Sequence, residues 1–205
     1  MYSFNITEFF VKGGIFMYPI AVCSVISLAI FMERLWNVRR KKIMPNGFAD
    51  RIEKFLNDGK LGEATGFCER ENSPLARILS TGIKNRGKAR ETIKAMMEET
   101  GRKETMRLFK NIEALSTIAS ISTLLGLLGT ISGMIKIFAV ISQQTVVNPT
   151  TLAGGISEAL NTTAYGLTVA IPTIVFYKYL YGKVDAFILS MEEYSVHILE
   201  ILKKE

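Results

Sequence analysis

Histidine, cysteine and proline are scarce: the 205 residues hold one histidine, two cysteines and five prolines. Cys23 and Cys68 stand 45 residues apart, and neither belongs to a CxxC or lies near His197. A disulfide framework and a zinc site are therefore not expected. Charge is locally missing as well. Gly13 to Met32, Ala114 to Ile135 and Ala159 to Tyr177 contain no Asp, Glu, Lys or Arg, over 20, 22 and 19 residues. About 20 residues at 1.5 Å each span a bilayer core of ~30 Å. Those runs and a mean hydropathy of +0.23 exclude a soluble domain and a disordered chain. The predicted fold class is an all-α membrane protein with three transmembrane helices and long helices extending into the cytoplasm.

The basic excess, +6 at neutral pH with a pI near 9.3, sits between the apolar runs. It reads as topology and not as nucleic-acid binding. One Lys or Arg precedes the first run, 19 fall in residues 33–113, one lies between the second and third runs, and four follow. The Arg39-Arg40-Lys41-Lys42 cluster directly follows the first run. The positive-inside bias then predicts an outer N-terminus and a cytoplasmic C-terminus. Expected segments are an outer 1–12, spans at 13–32, 114–141 and 158–181, a cytoplasmic helical loop at 33–113, an outer loop at 142–157 and a cytoplasmic C-terminal helix at 182–205. The first run has Glu8 and Lys12 before it and no Ala-x-Ala spacing after it, so it is expected to be a retained span.

In the polar region, Phe48, Ile52, Phe55 and Leu56 form a helical stripe ending at Asn57-Asp58-Gly59. Leu61 to Cys68 is a second short helix, and Ser73-Pro74 is a cap with a first-turn proline. From Leu75 the expectation is one long helix, bent near Gly87, running into the membrane. The C-terminal seam Val184, Phe187, Met191, Tyr194, Ile198 and Ile201 requires burial, either in self-association or against the loop helices.

Within the second span, Ser116, Ser120, Thr123 and Thr130 share one face of about 80°. Such hydroxyls either bond back to their own helix, line a polar path or form an interhelical seam. Gly126, Gly129 and Gly133 admit a close neighbour. In the third span, Glu158 sits at the outer boundary with Thr162 one turn on, and Pro172 frees a carbonyl near the middle. No Asp, Glu, His or Lys occupies mid-membrane, and Lys136 lies near an end. Hydroxyls do not hold a proton at neutral pH as a carboxylate does, so any titrating group must come from another chain. No phosphate loop, catalytic His–carboxylate cluster, metal site or cofactor motif is present in the sequence, and an enzyme is not expected. A non-conducting scaffold whose hydroxyl face is only a packing seam is the alternative of another class.

Gly126-Leu-Leu-Gly-Thr130-Ile-Ser-Gly133 and Gly155-Ile-Ser-Glu158 through Thr163, Gly166 and Pro172 resemble the two signature spans of the MotA/TolQ/ExbB proton channel family. The length and three spans resemble ExbB and TolQ, whereas MotA is longer and has four spans. The resemblance implies a bacterial inner-membrane homo-oligomer, a pentamer, around a single-span ExbD/TolR-like subunit whose membrane Asp carries the proton. It implies work passed on through a TonB/TolA-like protein, in biopolymer transport or, alternatively, in the Tol-Pal envelope system. On the matching positions, Thr130 and Thr163 are pore-facing and Glu158 is the motif glutamate. Glu158, expected to gather or pass protons at the outer mouth or to hold the subunit interface, joins Thr162, Ser120 and Thr123 in the expected polar path, and Gly126, Gly129, Gly133, Gly166 and Pro172 form the helix packing. Lys136 and Asn161 depart from the pattern.

Overall fold

A computed structural model describes residues 14–143 and 149–203. The expected outer segment 1–12 lies outside the described residues. The helices are α1 (Met17–Asn37), α2 (Arg40–Ile43), α3 (Phe48–Asn57), α4 (Leu61–Arg70), α5 (Pro74–Lys84), α6 (Arg90–Phe109), α7 (Ile112–Gln143) and α8 (Pro149–Leu202). There are no strands among the described residues. Among the described residues, three helical stretches are long and apolar enough to cross a membrane, in α1, α7 and α8. The chain divides into two compact units, one holding the chain up to Met32 with Asn111–Lys178, the other Glu33–Lys110 with Tyr179–Glu205.

The first unit is built from α7 and the neighbouring parts of α1 and α8. Its large apolar side chains stay uncovered: Leu124, Ile135, Phe138, Leu160, Ile171 and Val175 are all more than half exposed. In water such a surface would be strongly unfavourable, whereas hydrocarbon solvates it without penalty. Phe31 of α1 stacks on Phe176 of α8 with ring centroids 4.0 Å apart. Proline has no N–H, so Pro172 leaves the Thr168 carbonyl without its helical donor, yet α8 continues through it. Residues 149–157, in the stretch expected as an outer loop, are helical.

The second unit packs α3, α4, α5, α6 and the end of α8 around a core of its own. Phe48 stacks on Phe67 at 5.2 Å, and Phe55 meets the same ring edge-on at 5.9 Å. The α3 stripe ends where Gly59 takes φ +70°, a conformation glycine adopts without strain. Ser73 caps α5 by accepting from the Ala76 N–H at 3.2 Å, and Pro74 opens the helix.

The single helix expected from Leu75 onward is not what forms. The chain turns at Asn85–Ala89, and α6 returns antiparallel along α5. A Cβ on Gly82 would come within 2.6 Å of the Met97 sulfur, so glycine permits this contact. Buried Glu104 of α6 receives Arg77 of α5 through both oxygens, at 2.9 and 2.6 Å, and Arg107 at 2.8 Å. A bidentate charged pair between helices rewards folding back over continuing straight. A second break falls at Lys110–Asn111, where Asn111 has φ +65°.

The C-terminal seam finds its cover inside the same unit. Val184, Met191 and Ile198 are fully buried, with Phe187, Tyr194 and Ile201 partly so. Lys203 donates to the Arg86 and Lys88 carbonyls, tying the end of α8 to the α5–α6 turn. The seam therefore does not require a second copy of the chain.

Cys68 on α4 is buried, and desolvation pushes its thiol up to about 12. The thiolate is the reactive form, so at pH 8 only about one molecule in ten thousand carries it. Iodoacetamide at pH 8 should leave Cys68 unlabelled in the folded protein and label it once denatured. Rapid native labelling, read by peptide mass mapping, would show that α4 does not pack as described.

Candidate functional site

The seam between α7 and α8 is made by removing side chains. Along α7 the buried positions are Ile112, Leu115, Ala119, Ser122, Gly126, Gly129, Gly133 and Ile137, a three-four rhythm built largely of small residues. They face α8 in antiparallel register. A Cβ added to Gly166 would come within 2.7 Å of the Ser122 carbonyl oxygen and 3.0 Å of the Gly126 Cα. One on Gly133 would lie 2.7 Å from the Ala159 Cβ, and one on Gly155 would meet Ile137 at 2.5 Å. Gly129 faces the Thr162 side chain just as closely. No residue larger than glycine allows such backbone approach. Pro172 is exposed and lies outside this contact.

The register brings two of the expected hydroxyls together. Thr130 Oγ1 and Thr163 Oγ1 lie 3.2 Å apart across the helices, both half-buried. Thr163 also donates to the Gly126 carbonyl of α7 at 2.7 Å, and Thr130 to the Leu127 carbonyl of its own helix at 2.7 Å. At 100° per residue, Thr130, Thr123 and Ser120 lie about 50°, 70° and 130° from the mean direction of the buried seam. Thr130 is the nearest, and it reaches the neighbouring helix. Ser120 and Thr123 stay exposed and bond back to the Ser116 and Ala119 carbonyls, both at 3.0 Å. Thr162 is buried in the seam and donates to the Glu158 carbonyl at 2.9 Å.

Glu158 forms an ion pair that reading the residues one by one does not reveal. Lys136 Nζ donates to its Oε1 at 3.0 Å, with the lysine side chain 62% and the glutamate 33% exposed. Gly14 packs over the same carboxylate: it takes φ +71°, and a Cβ there would lie 2.6 Å from Oε1. The signal for the pair was available in the register, since Lys136 follows Gly133 by one turn and Glu158 precedes Ala159 by one residue. Asn161 donates to the Ser157 hydroxyl of its own helix at 3.4 Å. Buried Ser122, beside the closest crossing, has a hydroxyl with no hydrogen-bond partner. It lies off the hydroxyl face, so the spacing of the hydroxyls in the sequence does not mark it.

Three apolar helices, uncovered apolar flanks and a polar pair held at a glycine seam define a multi-pass membrane protein. The pattern described as the MotA/TolQ/ExbB proton channel family matches residues 70–193. The chain is 33% identical over 176 residues to an ExbB-like biopolymer transport protein of Synechocystis sp., covering 83% of this chain and 68% of the relative. It is 27% identical to the biopolymer transport protein exbB1 of Vibrio cholerae, over 78% of this chain and 72% of that one. It is also 27% identical to the Tol-Pal system protein TolQ of Haemophilus influenzae, over 89% and 86% respectively. The chain belongs to the MotA/TolQ/ExbB proton channel family.

Two outcomes test this geometry. Gly166→Ala places a methyl group against backbone and should destabilise the protein by about 1–3 kcal/mol. Gly154→Ala, where an added Cβ meets nothing within 4 Å, should be neutral or stabilising by up to ~1 kcal/mol. Equal thermal midpoints for the two variants in mild detergent would refute the seam. For the ion pair, Lys136→Gln and Glu158→Gln should each cost about 1 kcal/mol or less, and the double variant no more than either alone. Additive losses would mean the two side chains do not interact.

Proposed function

We propose that this chain is the proton-channel, or stator, subunit of an inner-membrane complex driven by the proton-motive force, of the ExbB-like kind that serves biopolymer transport. The observation that carries the reading is the Thr130–Thr163 pair, two half-buried hydroxyls on facing helices. The charge-free parts of those helices hold no titratable carboxylate or lysine. Hydroxyls pass a hydrogen bond along without storing a proton. An ExbD/TolR-like single-span subunit with a membrane Asp supplies the missing group. Several copies of this chain, five in the full assembly, surround that span, and a TonB/TolA-like protein carries the work outward.

The 19 Lys and Arg of residues 33–113 support a cytoplasmic position for that region, with the N-terminus outside and the C-terminus inside. Domain boundaries then follow the apolar runs, with spans at 13–32, 114–141 and 158–181. Glu158, held by Lys136, serves as a clasp between the outer ends of α7 and α8. Thr162 serves the seam, while Ser120 and Thr123 line the surface that a partner span would meet. A TolQ-like role in the Tol-Pal system is the second reading, favoured by the long match to a TolQ protein.

Thr163→Val keeps the size of the side chain and removes both the interhelical hydrogen bond and the partner of Thr130. It should reduce proton-dependent work by at least tenfold, while the complex still purifies at its normal mass together with its single-span partner. Full activity at normal expression would sink the assignment and favour a non-conducting scaffold.

A further inference from the structure

The basic cluster that follows the first span is held in a defined shape. α1 and α8 run parallel, with Gly14 beside the Glu158 carboxylate and Phe31 stacked on Phe176. The charge-free runs ending at Met32 and Tyr177 therefore reach one level. Beyond Met32, α1 continues to Asn37 and carries Trp36, which is 64% exposed. Tryptophan favours the boundary between hydrocarbon and headgroups. The Arg39 guanidinium stands over its ring, 5.4 Å from the centroid. The single turn α2 then exposes Arg40, Lys41 and Lys42, while Ile43 and Met44 are buried and anchor it. A similar pairing follows the other run, with Lys183 over Tyr179 at 5.8 Å.

These cations are not answered by acids of the chain. Arg34 takes Glu33 at 3.1 Å, and Lys42 donates to the Asn37 amide oxygen at 2.9 Å. Among the described residues, Arg39, Arg40 and Lys41 form no ion pair, and Asp50, across a small cleft from Arg40, does not reach it. The positive-inside bias accounts for the side of the membrane on which such a cluster lies. It does not require that a buried anchor fix the cations beside an exposed indole.

We propose that Trp36, Arg39, Arg40 and Lys41 form a headgroup site for an anionic glycerophospholipid of the leaflet in which α1 ends. The phosphodiester accepts from the guanidinium and ammonium groups, and the first acyl carbons lie against the Trp36 ring. Charge-assisted bonds to phosphate are the strong kind, and each Lys or Arg beside an anionic bilayer favours binding by about fivefold. A soluble phosphate supplies the charge but leaves the indole uncovered, so the source is a lipid. The inference goes beyond the proton-channel reading and holds equally for a non-conducting scaffold.

Trp36 is the only tryptophan of the chain, so its fluorescence reports on this site alone. The complex is placed in nanodiscs of phosphatidylcholine in which one lipid in ten is phosphatidylglycerol. A matched tenth of either lipid carries acyl chains brominated near the glycerol. A Trp36→Phe complex serves as the blank for tryptophans of other chains. Brominated phosphatidylglycerol should quench Trp36 about threefold or more above brominated phosphatidylcholine, as the charge attraction requires. The triple variant Arg39→Gln, Arg40→Gln, Lys41→Gln should bring the two to equality. Unchanged quenching by phosphatidylcholine in that variant shows that Trp36 still lies at the bilayer. Arg39→Lys with Arg40→Lys should keep most of the excess, and Arg86→Gln with Lys88→Gln, in the α5–α6 turn, all of it. Equal quenching in the wild type would overturn the site, as would loss of the excess in the α5–α6 turn variant. Loss of the excess in inorganic phosphate, but not in chloride at the same ionic strength, would make it a site for the free anion and overturn the lipid assignment. None of these readings depends on proton flow, so their failure leaves the proposed function standing.

Discussion

The close approach of two backbones in the α7–α8 pair sets the positions of the Thr130–Thr163 contact and of the Lys136–Glu158 pair. At Gly166 an added Cβ would lie 2.7 Å from the Ser122 carbonyl oxygen, and at Gly133 2.7 Å from the Ala159 Cβ. Lipid tails are as apolar as leucine, so no hydrophobic gain drives helices together in a bilayer. Contact at this distance supplies dispersion and interhelical hydrogen bonds instead. The Thr163 hydroxyl reaches the Gly126 carbonyl at 2.7 Å because no side chain stands between the helices there.

The same seam distributes roles among residues that look alike. Thr162 and Thr163 are adjacent, yet one is buried under Gly129 and the other turns toward Thr130. Thr123 and Thr130 share a helical face, yet only Thr130 lies near enough to the seam to meet the next helix. Lys136 and Glu158 pair at 3.0 Å near the other end of the contact, where both remain partly exposed. Ion pairing there joins the two helices at a second point, away from the threonines.

The second unit holds together by different means. Its core is aromatic and aliphatic, with Phe48, Phe55 and Phe67 in contact and the α8 seam buried at Val184, Met191 and Ile198. Glu104, buried among Arg77 and Arg107, closes the α5–α6 hairpin. Its carboxylate is buried at the cost of desolvation, and the two arginines offset that cost through three charge-assisted bonds.

Helix identity and membrane character were legible in the sequence because they depend on local composition. An apolar, charge-free run of about 20 residues is long enough to cross a bilayer, where a helix satisfies its own backbone, and Ser73-Pro74 or Asn57-Asp58-Gly59 act through their immediate neighbours. The motif glycines and threonines were also visible, through their spacing. What the sequence did not reveal depends on register between segments far apart in the chain. The reversal at Asn85–Ala89 is decided by Glu104 meeting Arg77 and by Gly82 admitting Met97, contacts with no local signature. The Lys136–Glu158 pair, the buried Ser122 hydroxyl and the Thr130–Thr163 contact exist only once α7 and α8 lie side by side. A helix determines its own faces, whereas the distance between two helices is a property of both surfaces together.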